Sequence, residues 1–219
     1  MRAATLAAFL TVALVLAAPG AAQTPSPDIP VVFSARSLLG GASFTITGTL
    51  PGAAADAGRP LELYEQRAPF PGAYALVQTG AGGPSGEFAF TVTPARKAYW
   101  AVVAPQTATR PREASSGYLV AVRRKVSIRT TTRRPRKGRS VRFSGFVSPA
   151  FPTGPESVAT LQRRDRRGAF ADVRRVLLRA AGEFSSYRIT VRVRRSGVYR
   201  VVVPASTFFS TGASVARER

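Results

Sequence analysis

The sequence predicts an all-β chain: two similar antiparallel β-sandwiches in tandem, preceded by an N-terminal signal-peptide helix. Three observations carry this. Short segments of alternating apolar and polar residues recur between Gly- and Pro-rich turns from Val31 onward, the pattern of strands with one face buried. The second half of the chain repeats the first at offsets of 95 to 97 positions. After residue 30, no helix-length stretch keeps an apolar 3.6-residue period with caps.

Met1 and Arg2 make a minimal basic start. An apolar run follows from Ala3 to Ala18, broken by Thr5 and Thr11, and then Pro19-Gly20-Ala21-Ala22-Gln23. Such a start, apolar stretch and small-residue end fit a secretory signal peptide. Gly20 and Ala22 suit the −3 and −1 subsites, so residues 1–22 are expected to be removed by cleavage after Ala22. An uncleaved signal anchor is the alternative, although the run is short for a spanning helix of about 20 residues. No second apolar run of spanning length occurs, and Ala216-Arg217-Glu218-Arg219 is no hydrophobic sorting tail. The expectation is a secreted or envelope-held protein with no transmembrane span in the mature chain.

Residues 23–30 contain Pro and Ser and read as a linker. Two modules are then expected, 31–122 and 123–219. Ser43-Phe44-Thr45-Ile46-Thr47-Gly48 matches Ser140-Val141-Arg142-Phe143-Ser144-Gly145, with the two glycines 97 apart. At the same offset, Leu61-Glu62-Leu63-Tyr64-Glu65 falls on Val158-Ala159-Thr160-Leu161-Gln162. Gly72-Ala73-Tyr74 meets Gly168-Ala169-Phe170, and Gly86-Glu87-Phe88 meets Gly182-Glu183-Phe184, each 96 apart. Ser116-Gly117-Tyr118 meets Thr211-Gly212-Ala213, 95 apart. Each unit is close to the ~100 residues of a seven-stranded sandwich. The stretch from Gly117 to Lys125 contains no Pro, so the two modules are expected to abut.

In Tyr187-Arg188-Ile189-Thr190-Val191-Arg192-Val193-Arg194 the apolar residues take every second place. One face is expected in the core and the other in solvent, carrying Arg188, Arg192 and Arg194. Gly197-Val198-Tyr199-Arg200-Val201 resembles the tyrosine corner of immunoglobulin domains, with Val201 where antibody domains carry their second Cys. Ala98-Tyr99-Trp100-Ala101 is the counterpart in the first module, which places Trp100 opposite to Tyr99 and therefore outward. The mature chain as a whole is similar to the tandem bacterial immunoglobulin-like (fibronectin III-like) repeats of secreted actinobacterial proteins. That resemblance implies the fold, an extracellular setting and structural roles for Gly145, Gly182, Gly197, Tyr199 and Val201. It implies no substrate.

Charge divides the chain. Residues 23–122 hold seven basic and six acidic residues, a net of +1; residues 123–219 hold twenty-four and five, a net of +19. Only three of the chain's thirty-two basic residues are Lys. A GC-rich coding bias accounts for Arg over Lys but not for the contrast between halves. The runs are Arg123-Arg124-Lys125, then Arg133, Arg134, Arg136, Lys137 and Arg139, then Arg163, Arg164, Arg166 and Arg167, then Arg174-Arg175. Such density costs self-repulsion and favours contact with a polyanion. The alternative is a solvated basic surface with no partner. Export points to anionic envelope polymers or an anionic membrane surface, and Arg binds phosphate and carboxylate bidentately. No aromatics interleave with the Arg runs, so a base-stacking platform for nucleic acid is not indicated.

The chain contains no His and no Cys, which leaves no thiolate nucleophile, disulfide or His/Cys zinc site. Its eleven carboxylates show no catalytic spacing: Glu62 and Glu65 have opposite parity on one strand, and nothing draws Glu62, Glu87 and Asp172 together. Neither a phosphate loop nor a calcium loop occurs. The expectation is therefore no enzyme, no cofactor and no metal. An accessory module docking another secreted protein through the first domain is the rival reading. Because Tyr199 is placed in the core, Tyr199→Ala is expected to lower the melting temperature more than any single exposed Arg→Ala. Equal melting temperatures would refute the placement.

Overall fold

The computed structural model describes residues 29–132, 136, 138–151, 154–155, 157–193 and 197–214, with the backbone of 217–218. The expected signal segment and residues 23–28 lie outside them. The first half holds β1 (Val31–Phe33), β2 (Ser37–Leu39), β3 (Phe44–Thr49), β4 (Pro60–Arg67) and β5 (Ala75–Ala81). It continues with β6 (Glu87–Val92), β7 (Ala98–Ala104), β8 (Glu113–Ala114) and β9 (Tyr118–Arg123). The second half holds β10 (Lys125–Val126), β11 (Arg129–Thr130), β12 (Ser140–Ser148), β13 (Val158–Arg164) and β14 (Phe170–Leu177). After these come β15 (Arg179–Ala181), β16 (Phe184–Arg192), β17 (Val198–Val203), β18 (Gly212–Ala213) and β19 (Arg217–Glu218). One 3-10 turn, Ala53–Asp56, is the sole helical element among the described residues.

Four sheets result. In the first half the orders are β1-β3-β6 and β2-β9-β7-β4-β5, with β8 on β7. In the second they are β10-β12-β16-β15, with β11 on β12, and β14-β13-β17-β18, with β19 on β17. Every named pair is antiparallel except β2 with β9. The buried apolar residues form two separate clusters, one drawn from residues 29–120 and one from residues 126–203, and each takes side chains from both sheets of its half. The alternation expected on β16 is present: Tyr187, Ile189 and Val193 are buried, whereas Arg188, Thr190 and Arg192 are exposed.

The two halves share wiring down to single hydrogen bonds. Leu63 lies opposite Val102, and Leu161 lies opposite Val201. A bulge follows Leu63 on the β5 side and Leu161 on the β14 side. The Val102 N–H donates to Ser115 Oγ at 2.9 Å, and the Val201 N–H donates to Ser214 Oγ at 2.9 Å.

These pairings correct the sequence alignment in two places. Leu63 corresponds to Leu161 and not to Thr160, since both leucines are fully buried and a one-residue slip would send one of them to solvent. Ser115 corresponds to Ser214, so the glycines 117 and 212 are not equivalent. The Gly48/Gly145 match holds for a steric reason. A Cβ at Gly145 would lie 2.1 Å from the Ser127 carbonyl oxygen, and one at Gly48 would lie 2.5 Å from that of Pro30. Phe88 covers Gly48, whereas Tyr187, not Phe184, covers Gly145 and donates its hydroxyl to the Ser127 carbonyl. Gly182 opens the two-residue turn between Ala181 and Phe184 with φ +67°, a conformation that favours glycine.

The same register overturns the outward placement of Trp100. Trp100 is 2% exposed and meets Phe44 edge-on at 5.6 Å, while Tyr99 lies half-buried against Phe70. Counting back from Val102 and Val201, Trp100 occupies the place of Tyr199, which is 3% exposed and 5.2 Å from Phe143. The Gly-x-Tyr-Arg-Val pattern had matched the wrong neighbour, because the larger indole fills the core position in the first half.

Arg124 is not part of a surface patch. It is 1% exposed, with its guanidinium 3.6 Å from the Phe151 ring centroid and 4.2 Å from that of Phe209. Its Nη1 donates to Ser206 Oγ at 3.1 Å, and burial pushes its pKa down to about 10, which leaves it charged at neutral pH. Around it the halves are joined through the backbone: the Ser210 N–H donates to the Val122 carbonyl and the Lys97 N–H to that of Phe208. The expected abutment is present.

Trp100→Ala is expected to cost about 3–5 kcal/mol, well beyond Tyr99→Ala. The native chain, whose single Trp is Trp100, should show blue-shifted indole emission that moves red on unfolding. Arg124→Ala is expected to cost about 2 kcal/mol or more, measured by denaturant unfolding, whereas Arg123→Ala should change little.

Candidate anion-binding surfaces

The strand directions bring two separate Arg runs to one end of the second half. β12 starts where β16 ends, because Ser140 pairs with Arg192. β13 ends where β17 starts, because Arg163 pairs with Tyr199. Arg136 and Arg139 before β12, Arg163 and Arg164 at the end of β13, Arg166 and Arg167 in its turn, and Arg192 therefore share this pole. Of the other predicted residues, Arg133, Arg134, Lys137 and Arg194 lie outside the described residues. The pole points away from the junction, since Arg124, Phe151 and Phe209 cluster at the opposite ends of these strands.

Asp165 sits within the pole but is engaged locally. Its Oδ1 accepts the backbone N–H of Arg167 at 2.8 Å and of Ala169 at 2.9 Å, closing the turn whose Gly168 has φ +87°. Arg164, Arg166 and Arg167 are exposed. Arg163 is half-buried, its stem packed against Gly197, where a Cβ would touch it at 3.4 Å. Arg192 is tethered by an Nε–H to the Gly138 carbonyl at 2.8 Å.

A second surface is the outer face of the β12–β16 pair. Arg188 and Arg192, expected there, are joined by Arg142, Arg129 and Arg179, which belong to none of the basic runs. Arg142 was recoverable from the parity of its strand, since it alternates with buried Val141 and Phe143. Arg129 and Arg179 are isolated in sequence, and only strand pairing gathers them.

Other Arg residues are engaged in structure. Arg175 pairs with Asp172 at 2.7 Å; that bond, with a second from Gln162, holds the Asp172 carboxyl below its usual range. Arg174 Nη1 donates to the Thr190 carbonyl, and Arg200 lies 3.8 Å over the Phe170 ring. In the first half, buried Asp56 and Arg59 form a neutral group with Arg110 and Glu113. It ties the 52–59 turn to residues 110–113, and sequence spacing gave no sign of it. Among the described residues no cluster of three acidic side chains is placed to hold a metal ion. Compared with known proteins, the chain matches no family model and no curated protein.

Proposed function

We propose that this chain is an exported, non-catalytic binding protein of two tandem immunoglobulin-like, fibronectin III-like domains. In this reading the basic second domain, 123–219, holds an anionic polymer of the cell envelope. The domain reading is supported by the strand orders. In each half a sheet of A-B-E type, three-stranded in the first and five-stranded in the second, is followed by one of G-F-C-C′ type. Tyr199 stands at the start of the F-like strand, the place of a tyrosine corner, with Val201 fully buried beside it. Export rests on the N-terminal segment, with cleavage after Ala22. No described helix is long and apolar enough to cross a membrane.

The binding reading is carried by one observation: exposed Arg164, Arg166 and Arg167 converge with Arg136 and Arg139 on a pole where Asp165 is engaged by its own turn. The guanidinium forks there suit phosphate or carboxylate groups repeated along a chain.

A second reading is favoured by the edge strand β5. All seven of its residues, Ala75–Ala81, are exposed and uncharged, whereas its counterpart β14 carries Asp172, Arg174 and Arg175. An unprotected edge is a template for strand addition, so the first domain would dock another secreted protein.

Binding of the full chain to purified envelope polymer is expected to weaken about tenfold or more between 50 and 200 mM salt. Arg164→Ser/Arg166→Ser/Arg167→Ser should weaken it further and flatten the salt dependence. Binding that ignores salt, or that is undetectable with every envelope polyanion tested, would overturn the reading.

A further inference from the structure

The outer face of the β12–β16 pair, with Val176, Leu177 and Leu178 beside it, lines a groove of about 920 Å³. Arg129 and Arg188 stand opposite Ser144 from either side, through the β11–β12 and β12–β16 pairings. Two strand spacings, about 10 Å, therefore separate them, with a short hydroxyl side chain between. One row along, Phe146 pairs with Ser186, and Ser186 with Arg179. Phe146 is 49% exposed and is held edge-on to Phe184 at 5.7 Å. No residue lining the groove is acidic.

The first half supplies an internal control. Its matching row is Val32, Thr47 and Ala89, paired in the same order through β1, β3 and β6. Thr49 stands where Phe146 does, two residues beyond Thr47. The same sheet thus forms with no cation and no aromatic ring at these positions, so folding does not require them. Gathering three guanidiniums around two serine hydroxyls costs repulsion that an anionic ligand would relieve.

We propose that this groove binds an acidic sugar residue of an anionic polysaccharide. The sugar carboxylate lies between Arg129 and Arg188, and the C–H face of its ring rests on Phe146. This rests on the reading of the second half as a polyanion binder and adds to the pole a second site, selective for acidic sugars. Arg forks match a carboxylate bidentately, and Ser144 and Ser186 offer hydroxyls to those of the ring. A bare polyphosphate would leave Phe146 unmatched. The lining also holds Val176, Leu177 and Leu178, and this mix of apolar side chains with Arg and Ser suits a ring that has polar edges and an apolar face. The volume falls within the roughly 300–1,000 Å³ of ligand pockets.

The test uses the full chain with three probes: oligogalacturonate, linear polyphosphate and phosphatidylglycerol vesicles, titrated at fixed salt. Arg129→Val/Arg188→Ala installs the residues of the first half and is expected to weaken oligogalacturonate binding about tenfold or more, the loss for a pair of charge-assisted hydrogen bonds. Phe146→Thr, also a first-half residue, should weaken oligogalacturonate severalfold and leave polyphosphate unchanged. It carries the test if the double variant does not fold by circular dichroism. The pole variant Arg164→Ser/Arg166→Ser/Arg167→Ser should weaken polyphosphate by a larger factor than oligogalacturonate. Oligogalacturonate bound equally well by wild type, Phe146→Thr and any folded double variant overturns the groove while leaving the polyanion reading intact. Tighter binding to vesicles than to oligogalacturonate assigns the surface to a membrane and overturns the sugar. Failure of wild type to bind all three probes removes both proposals.

Discussion

In each half a leucine opposite a valine holds the middle of one sheet in register, and the rest of that half depends on the pairing. Leu63 facing Val102 and Leu161 facing Val201 fix which side of four strands turns inward. Because side chains alternate with a period of two, a slip of one residue would expel Trp100 or Tyr199 and, beside Tyr199, turn Arg200 toward the core. The bulge after each leucine bends the strand toward its edge partner, and the serine that caps each valine N–H closes the far side. A buried N–H left open would cost about 1–3 kcal/mol, so repetition of this serine in both halves serves the same physical need.

That shared scaffold separates what the fold requires from what it tolerates. Most inward positions stay apolar in both halves, with exchanges such as Trp100 for Tyr199 that keep an aromatic ring over the same strand, although buried Glu65 follows Leu61 and Leu63 inward. Outward positions diverge freely: Thr45 and Thr91 approach each other through their hydroxyls, where the second half sets Arg142 beside Thr190. The excess positive charge of residues 123–219 therefore lies on surfaces that folding leaves open. Some of it is consumed internally, as with Arg174 on the Thr190 carbonyl and Arg175 on Asp172. Among the described residues, most of the exposed remainder gathers at one pole and on one sheet face.

Arg124 is the exception, a cation placed inside. Two phenyl rings and one hydroxyl compensate its lost hydration in part, and its Nε has no hydrogen-bond partner. The arrangement sits where the last strand of the first half meets the 206–210 segment of the second, and backbone hydrogen bonds cross on both sides of it. A buried guanidinium stacked between rings tolerates little displacement, so this contact stiffens the connection between halves.

Much of the architecture was legible because period-two alternation is a local property. The strands, the Gly182 turn and the outward Arg188 and Arg192 all follow from residues within a few positions of one another, and the Gly48/Gly145 match follows from the repeat. The contrast in charge between the halves needs only composition. Only the tertiary structure decided which residue faces which across strands that lie far apart in sequence. It moved Trp100 into the core, matched Leu63 to Leu161, buried Arg124, and brought Arg129 and Arg179 beside Arg188. The reason is that alternation defines two faces for each strand but not their register, and register is set by packing summed over partners that lie far apart along the chain.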